Sequence, residues 1–307
     1  MATSRKSIVR GPGAIQIGNV TIHDASGITC TEQSPIQDIP SSMVGQLDHI
    51  KTDQTLQVQA TPCGSISPDI IKLLFPHQTP SIGASLMGEV DTPLVIHSRA
   101  GVKVTIPCAA LALPPQLILS PIATSFGQAT WYGCVALAKG PTDTDSFHSV
   151  TNATYNLGEP SRAGLTGHHY TGLWNTLDIP DTEAGWTVEI VPTWTPVAVD
   201  SIGTIDWTLA SIVARARCVP VGLSESAILA ALAGTKARGS SISTAHDLTI
   251  SSASGLTVKL FGAGLETGPL RWGTTTLRAG ELGFVANITG GQLYSVAASG
   301  ATPPAGG

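Results

Sequence analysis

A chain of 307 residues is long enough to bury a real core as one large β domain or two smaller ones. Charged residues make up 12% of it, about half the share of an ordinary soluble domain, and aromatics only 5% of a chain that is 42% hydrophobic. The net charge of -5, with no basic cluster beyond Arg5, Lys6 and Arg10, excludes a tight grip on nucleic acid, which needs positive charge against the phosphates.

The 33 glycines and 21 prolines, with abundant Thr and Ser, predict short strands joined by many turns. A surface with so few charges is poorly protected against association, so cover by identical neighbours is the simplest expectation. The five cysteines (Cys30, Cys63, Cys108, Cys134 and Cys218) are far apart and contain no CxxC pair, which fits neither a disulfide framework nor a zinc site. They read as small core residues in a reducing compartment. The start has no stretch like a signal peptide, and the apolar run from Cys108 to Leu119 is broken by Pro114-Pro115. Synthesis in the cytoplasm, with no membrane partner, is therefore expected.

In chain order, residues 1–13 read as a polar, basic N-terminal arm, and strands begin near Ala14–Ile22. Residues 31–52 lose all periodicity and read as a long loop, of the length that is usually functional or interfacial. From 54 to 60, Leu56, Val58 and Ala60 alternate with Gln57 and Gln59 as a half-buried strand. Ser67, Pro68 and Asp69 then give a helix start, and Ile70, Ile71, Leu73 and Leu74 its apolar stripe. A hairpin is expected from 94–98 and 102–108, and a strand carrying Trp131 and Tyr132 over 128–139. Residues 140–183 read as a long surface excursion. Alternation resumes at Trp186–Trp194 and again at Ile205–Val221, with a turn at 200–203 between them. Ser224, with Ala227, Ile228, Leu229 and Leu232, predicts a second short helix capped at Gly234. Strands follow around 256–260 and 281–288, and residues 291–307 read as a C-terminal tail. The order predicts a mainly β fold, an antiparallel sandwich or barrel flanked by one or two short helices, with a single domain over 14–290.

Catalytic signatures are absent from the sequence: there is no GxSxG elbow and no HExxH. Gly262 to Gly268 resembles a phosphate loop only superficially, since no helix pattern opens after it. His168-His169 is the densest histidine pair, but neighbours on a strand point to opposite faces, so a solvated or interfacial loop is the better reading than a metal site. No enzyme and no cofactor is expected. Trp131, Trp186, Trp194 and Trp207 read as core or interface aromatics, with a glycan-binding face as the alternative.

The run from Gly45 to Ile71, GQLDHIKTDQTLQVQATPCGSISPDII, resembles the major tail tube proteins of long-tailed (siphovirus-type) bacteriophages and prophages. In that family a Gly-x-Leu/Val-Asp segment leads into a strand, a TP-x-G turn and a short helix. Further matches are Thr92–His97, Trp186-Thr187-Val188, Ala214–Gly222 and Arg271–Leu282, so the resemblance spans roughly residues 14–290. It implies a two-sheet antiparallel sandwich with a flanking helix. Six copies would form a ring, and rings would stack into a virion tail tube that conducts DNA without binding it. Other tail proteins (tape measure, terminator, distal tail) would be the further partners. The contacts between subunits would fall on Arg5, Lys6 and Arg10 of the arm, on Glu32, Asp38, Met43, Leu47 and Asp48 of the 31–52 loop, and on His168, His169 and Tyr170 of the excursion. Other virion parts, a tail terminator or a capsid decoration protein, are the nearest alternatives.

Overall fold

The computed structural model describes residues 13–41, 43, 45–51, 53–64, 66–88, 90, 92–98, 101–134, 148–153, 169–199, 203–221, 223, 246–253, 255–267, 270–272 and 277–298. These residues form a mainly β protein with one short helix, and every strand pairing among them is antiparallel.

In chain order the first strands are β1 (Gly13–Ile17), β2 (Val20–Asp24), β3 (Thr29–Gln33), β4 (Ile36–Ser41), β5 (Gly45–Lys51), β6 (Thr55–Ala60) and β7 (Pro62–Cys63), followed by helix α1 (Pro68–Leu74). The middle of the chain adds β8 (Leu94–Ser98), β9 (Val102–Ile106), β10 (Ala109–Leu113), β11 (Leu117–Leu119), β12 (Thr124–Phe126), β13 (Ala129–Gly133) and β14 (Ser149–Asn152). Then come β15 (Tyr170–Trp174), β16 (Leu177–Ile179), β17 (Asp181–Val199) and β18 (Gly203–Val221). The last strands are β19 (Leu248–Ser252), β20 (Leu256–Leu260), β21 (Gly264–Thr267), β22 (Leu270–Trp272), β23 (Leu277–Ala279), β24 (Leu282–Val285) and β25 (Tyr294–Ala298). They order as β14-β9-β8-β1-β2-β7, β10-β13-β6-β3, β12-β11-β17-β18-β24-β21 and β16-β15-β19-β20-β25, with β22-β23 and β4-β5 as separate pairs.

The alternating strands bury the faces their sequences specify. In β6, Leu56, Val58 and Ala60 are buried, and β20 does the same with Leu256, Val258 and Leu260. One contiguous apolar cluster reaches from Ile15 to Val296, with Trp131, Trp186 and Phe284 at its heart. Helix α1 has the expected cap: Ser67 Oγ accepts from the Ile70 N–H at 3.2 Å, and Ile71 and Leu74 go under against β2 and β25. Trp186 lies so close over β15 that a Cβ on Gly172 would stand 2.2 Å from its ring.

The paired strands β17 and β18, 19 residues each, organise the molecule. Near their open end Trp186, Val188 and Ile190 face the main core opposite Cys218, Ala216 and Ala214. Between Thr193 and Trp194 the register shifts, leaving Ala210 without a partner. That β-bulge changes which residues of β18 point inward, so Leu209 and Trp207 replace the even-numbered series. Beyond it the ribbon packs on a second, smaller cluster of Leu86, Ala112, Cys134 and Trp207.

Four expectations need correction. The supposed loop at 31–52 is strand for most of its length, β3 continuing to Gln33 and then β4 and β5 pairing as a hairpin. Its prolines hid the pattern: Pro35 precedes β4, and Pro40 sits beside the register shift after Ile39, where a missing N–H costs little. The described ends of the 140–183 excursion are also strands: β14 pairs with β9, and β15 buries Tyr170, Gly172 and Trp174 against β19. Alternation there is masked by the inward glycine. The tail expected from 291 begins instead with β25, which pairs along β20 and buries Tyr294 and Val296. Of the strand expected over 128–139, Ala129–Gly133 forms β13 and Cys134 falls beyond its end, while residues 135–139 lie outside the described residues. The second predicted helix, near Ser224, lies outside the described residues, as does the arm to residue 12.

Candidate functional site

Among the described residues, the hairpin β4–β5 pairs with no other strand. A two-stranded ribbon in water is marginal by itself, because both faces stay wet. Here they do: Gln37, Asp38, Pro40, Asp48 and His49 are exposed, and so are Ile36 (60%) and Ile50 (51%), while Met43 at the tip is 92% exposed. Register puts Ile39 and Ile50 on one face with Gln37 and Asp48, and Ile36 on the other with Asp38 and His49. His49 Nδ1 lies 2.8 Å from Asp38 Oδ1 across the ribbon. Charge and apolar area are therefore mixed along both sides.

The root of this hairpin is firmly held. On the outgoing leg Glu32 Oε1 accepts from Ser34 Oγ at 2.9 Å and from Gln54 Nε2 of the returning leg at 3.0 Å. Beside Gln54, Asp53 accepts from the Gln54 N–H (2.8 Å), the Thr204 N–H (2.7 Å) and the Thr204 hydroxyl (2.8 Å). Burial pushes the Asp53 carboxyl up, but these hydrogen bonds outweigh it and hold it below the ordinary carboxylate value. The close approach demands glycine at 203: its φ is +87°, and a Cβ there would stand 2.5 Å from Asp53 Oδ1.

Next to that root opens a cavity of about 490 Å³ between β6, β13 and the distal half of β17–β18. Its aromatic walls are Tyr132, Trp194 and Trp207, with Gln33, Gln57 and Asp53 as polar neighbours. Trp194 is locked by its indole N–H, which donates to the Ala112 carbonyl at 2.7 Å, and Tyr132 packs on Trp207 with ring centroids 5.2 Å apart.

The expected contact residues divide. Glu32, Asp38, Met43 and Asp48 sit together on the hairpin and its root, and Leu47 is the β5 residue skipped by the register shift. His169 lies at the surface with Nε2 2.7 Å from Asp181 Oδ1. Tyr170 is a correction. It is 4% exposed, and its hydroxyl is hydrogen-bonded to Thr124, because the first residue of β15 points into the core. Arg5, Lys6, Arg10 and His168 lie outside the described residues. Trp131 and Trp186 are core (1% exposed each) and Trp207 nearly so, whereas Trp194 is half-buried beyond the bulge, at the cavity. Sequence reading gives Asp53 no role and Tyr132 only a place on a strand. Their roles depend on contacts with Thr204 and Trp207, 151 and 75 residues away, that no local pattern signals.

Among the described residues no group of three His, Cys, Asp or Glu side chains is placed to hold a metal ion. No helix among them is long and apolar enough to cross a membrane. No protein-family profile and no curated protein sequence matches the chain.

Proposed function

We propose that the chain is a structural subunit that assembles with copies of itself, as stacked hexameric rings of a phage tail tube, and that β4–β5 is the element by which one ring grips the next. One observation supports this reading above the others: a hairpin anchored at its root, with apolar residues exposed on both faces and, among the described residues, no further strand paired with it. Such a ribbon gains its missing packing from another molecule. The sparse surface charge agrees, since faces occluded by neighbours need little charge to stay soluble. In this reading Met43, Ile36 and Ile50 are the buried anchors of the contact, and Asp38, Asp48 and His49 its polar rim. DNA would pass through the lumen without being bound, and tape-measure, terminator and distal tail proteins would meet the ends of the tube.

Negative-stain microscopy of the concentrated protein tests the proposal. Open rings or striated tubes are expected for the full chain, and their loss when residues 36–51 are replaced by a short Gly/Ser linker. Compact separate particles at every concentration would overturn it.

The aromatic cavity favours a second reading, a glycan-binding β module, because flat indole and phenol faces beside amides suit a sugar ring. A monomer that binds a glycan array, and loses binding on Trp194→Ala, would favour this reading over the tube.

A further inference from the structure

Cys108 and Cys134 are 26 residues apart in sequence, yet they are neighbours across a sheet. β10 and β13 pair with Ala109 opposite Gly133, so the next rung outward sets Cys108 against Cys134, and the Cys134 N–H donates to the Cys108 carbonyl at 3.2 Å. Residues facing each other in an antiparallel pair have Cα atoms about 4.5–5.5 Å apart, inside the roughly 4.4–6.8 Å span of disulfides. The two sulfurs already touch at 3.6 Å. Register and sulfur contact together place the pair within reach of a disulfide.

The two thiols are not equivalent. Cys134 is 1% exposed, and its S–H has two acceptors in reach, Cys108 Sγ and the Ile205 carbonyl at 3.1 Å. Cys108 is only half-buried and rests 3.6 Å from Met87 Sδ. The S–H of Cys134 pointing at Cys108 favours a thiolate there and lowers its pKa, against the opposing effects of burial and of the Asp206 charge. The same contact, with burial, raises that of Cys134. The other cysteines differ: burial pushes Cys30 up to about 11 and Cys218 up to about 12.

We propose that Cys108 and Cys134 form a reversible dithiol–disulfide couple, with Cys108 the entry point for a low-molecular-weight disulfide and Cys134 the resolving thiol. The Cys108 thiolate attacks one sulfur of glutathione disulfide, whose S–S bond breaks, and one glutathione thiolate leaves. Cys134 then attacks Cys108 Sγ, losing its proton in the step. The protein–glutathione bond breaks, and the second glutathione departs as thiolate. Two protein thiols are oxidised, one small disulfide is reduced, and both released thiolates take up protons. Closing the bond removes the hydrogen bond to Ile205, one residue from the Thr204 that holds Asp53. The couple stands independently of how the chain assembles.

The test uses the full reduced chain, excess glutathione disulfide, intact mass and peptide mapping. Wild type is expected to lose two hydrogens in mass, with the new link mapped to Cys108–Cys134 and reversed by a reductant. Cys134→Ser should instead trap one glutathionyl group on Cys108, and Cys108→Ser should show neither change. Persistence of five thiols in the wild type, a stable glutathionyl group on wild-type Cys108, or a link that maps to other cysteines would each overturn the proposal. The wild-type measurement decides even if a variant fails to fold.

Discussion

The hairpin β4–β5 and the proximal half of β17–β18 are both antiparallel ribbons, but their surroundings differ. Around Trp186 the ribbon is paired along its edges by β11 and β24, one face meets β15, and its inward apolar residues vanish from solvent. Around Met43, among the described residues, no strand pairs with the hairpin, and Ile36 and Ile50 stay exposed. The first ribbon is stabilised by its own chain through apolar burial of about 25 cal/mol per Å². The second contributes little to the fold that carries it. Strand pairing is common to both. What distinguishes them is that, among the described residues, only the first is covered by other strands of the chain.

The sharpest break in that contrast is Trp186→Ala, which removes the largest side chain of the proximal ribbon from a fully packed site. A loss of about 3–5 kcal/mol in urea unfolding is expected. A loss below about 1 kcal/mol would mean the ribbon is not held by the core as described. Asp53→Ala acts between the two regions, leaving the Thr204 N–H and hydroxyl without their acceptor. It should cost about 1–3 kcal/mol at neutral pH. The folded carboxyl lies below its unfolded value, so its contribution is complete above the unfolded value and disappears as pH falls through the folded one. Wild type and variant should therefore converge in stability in acid; a gap that persists there would assign the loss to packing. The smallest effect on the subunit itself is expected at the hairpin. Ile36→Asp with Ile50→Asp should change unfolding stability by about 0.5 kcal/mol or less, while sedimentation loses the assembled species. A large loss of subunit stability would place the hairpin within the fold proper.

Much of this architecture was legible from periodicity. Leu56-Val58-Ala60, Trp186-Val188-Ile190 and the Ser67-Pro68-Asp69 cap each announce their element through residues close together in the chain, and each forms as read. The failures share a cause. β15 hides behind inward Gly172, whose missing side chain makes room for Trp186. β4 is interrupted by Pro40, and β25 follows Gly290-Gly291, so its Tyr294-Val296 alternation looks like a tail. In each case the informative partner lies on a distant strand. The same holds for the site: Met43 and Asp38 enter through the family resemblance and the lost periodicity of their stretch, but the Asp53–Thr204 contact and the Cys108–Cys134 pair exist only once β18 and β13 are in register.

The fastening of the hairpin has a mechanical consequence. Glu32 and Gln54 tie the two legs together, and Asp53 ties the returning leg to β18. A load applied at Met43 would not be dissipated by swivelling at a loose joint. It would pass as tension through the two hydrogen bonds from Thr204 to Asp53 into the longest described ribbon, making the hairpin a lever whose fulcrum is a single carboxylate.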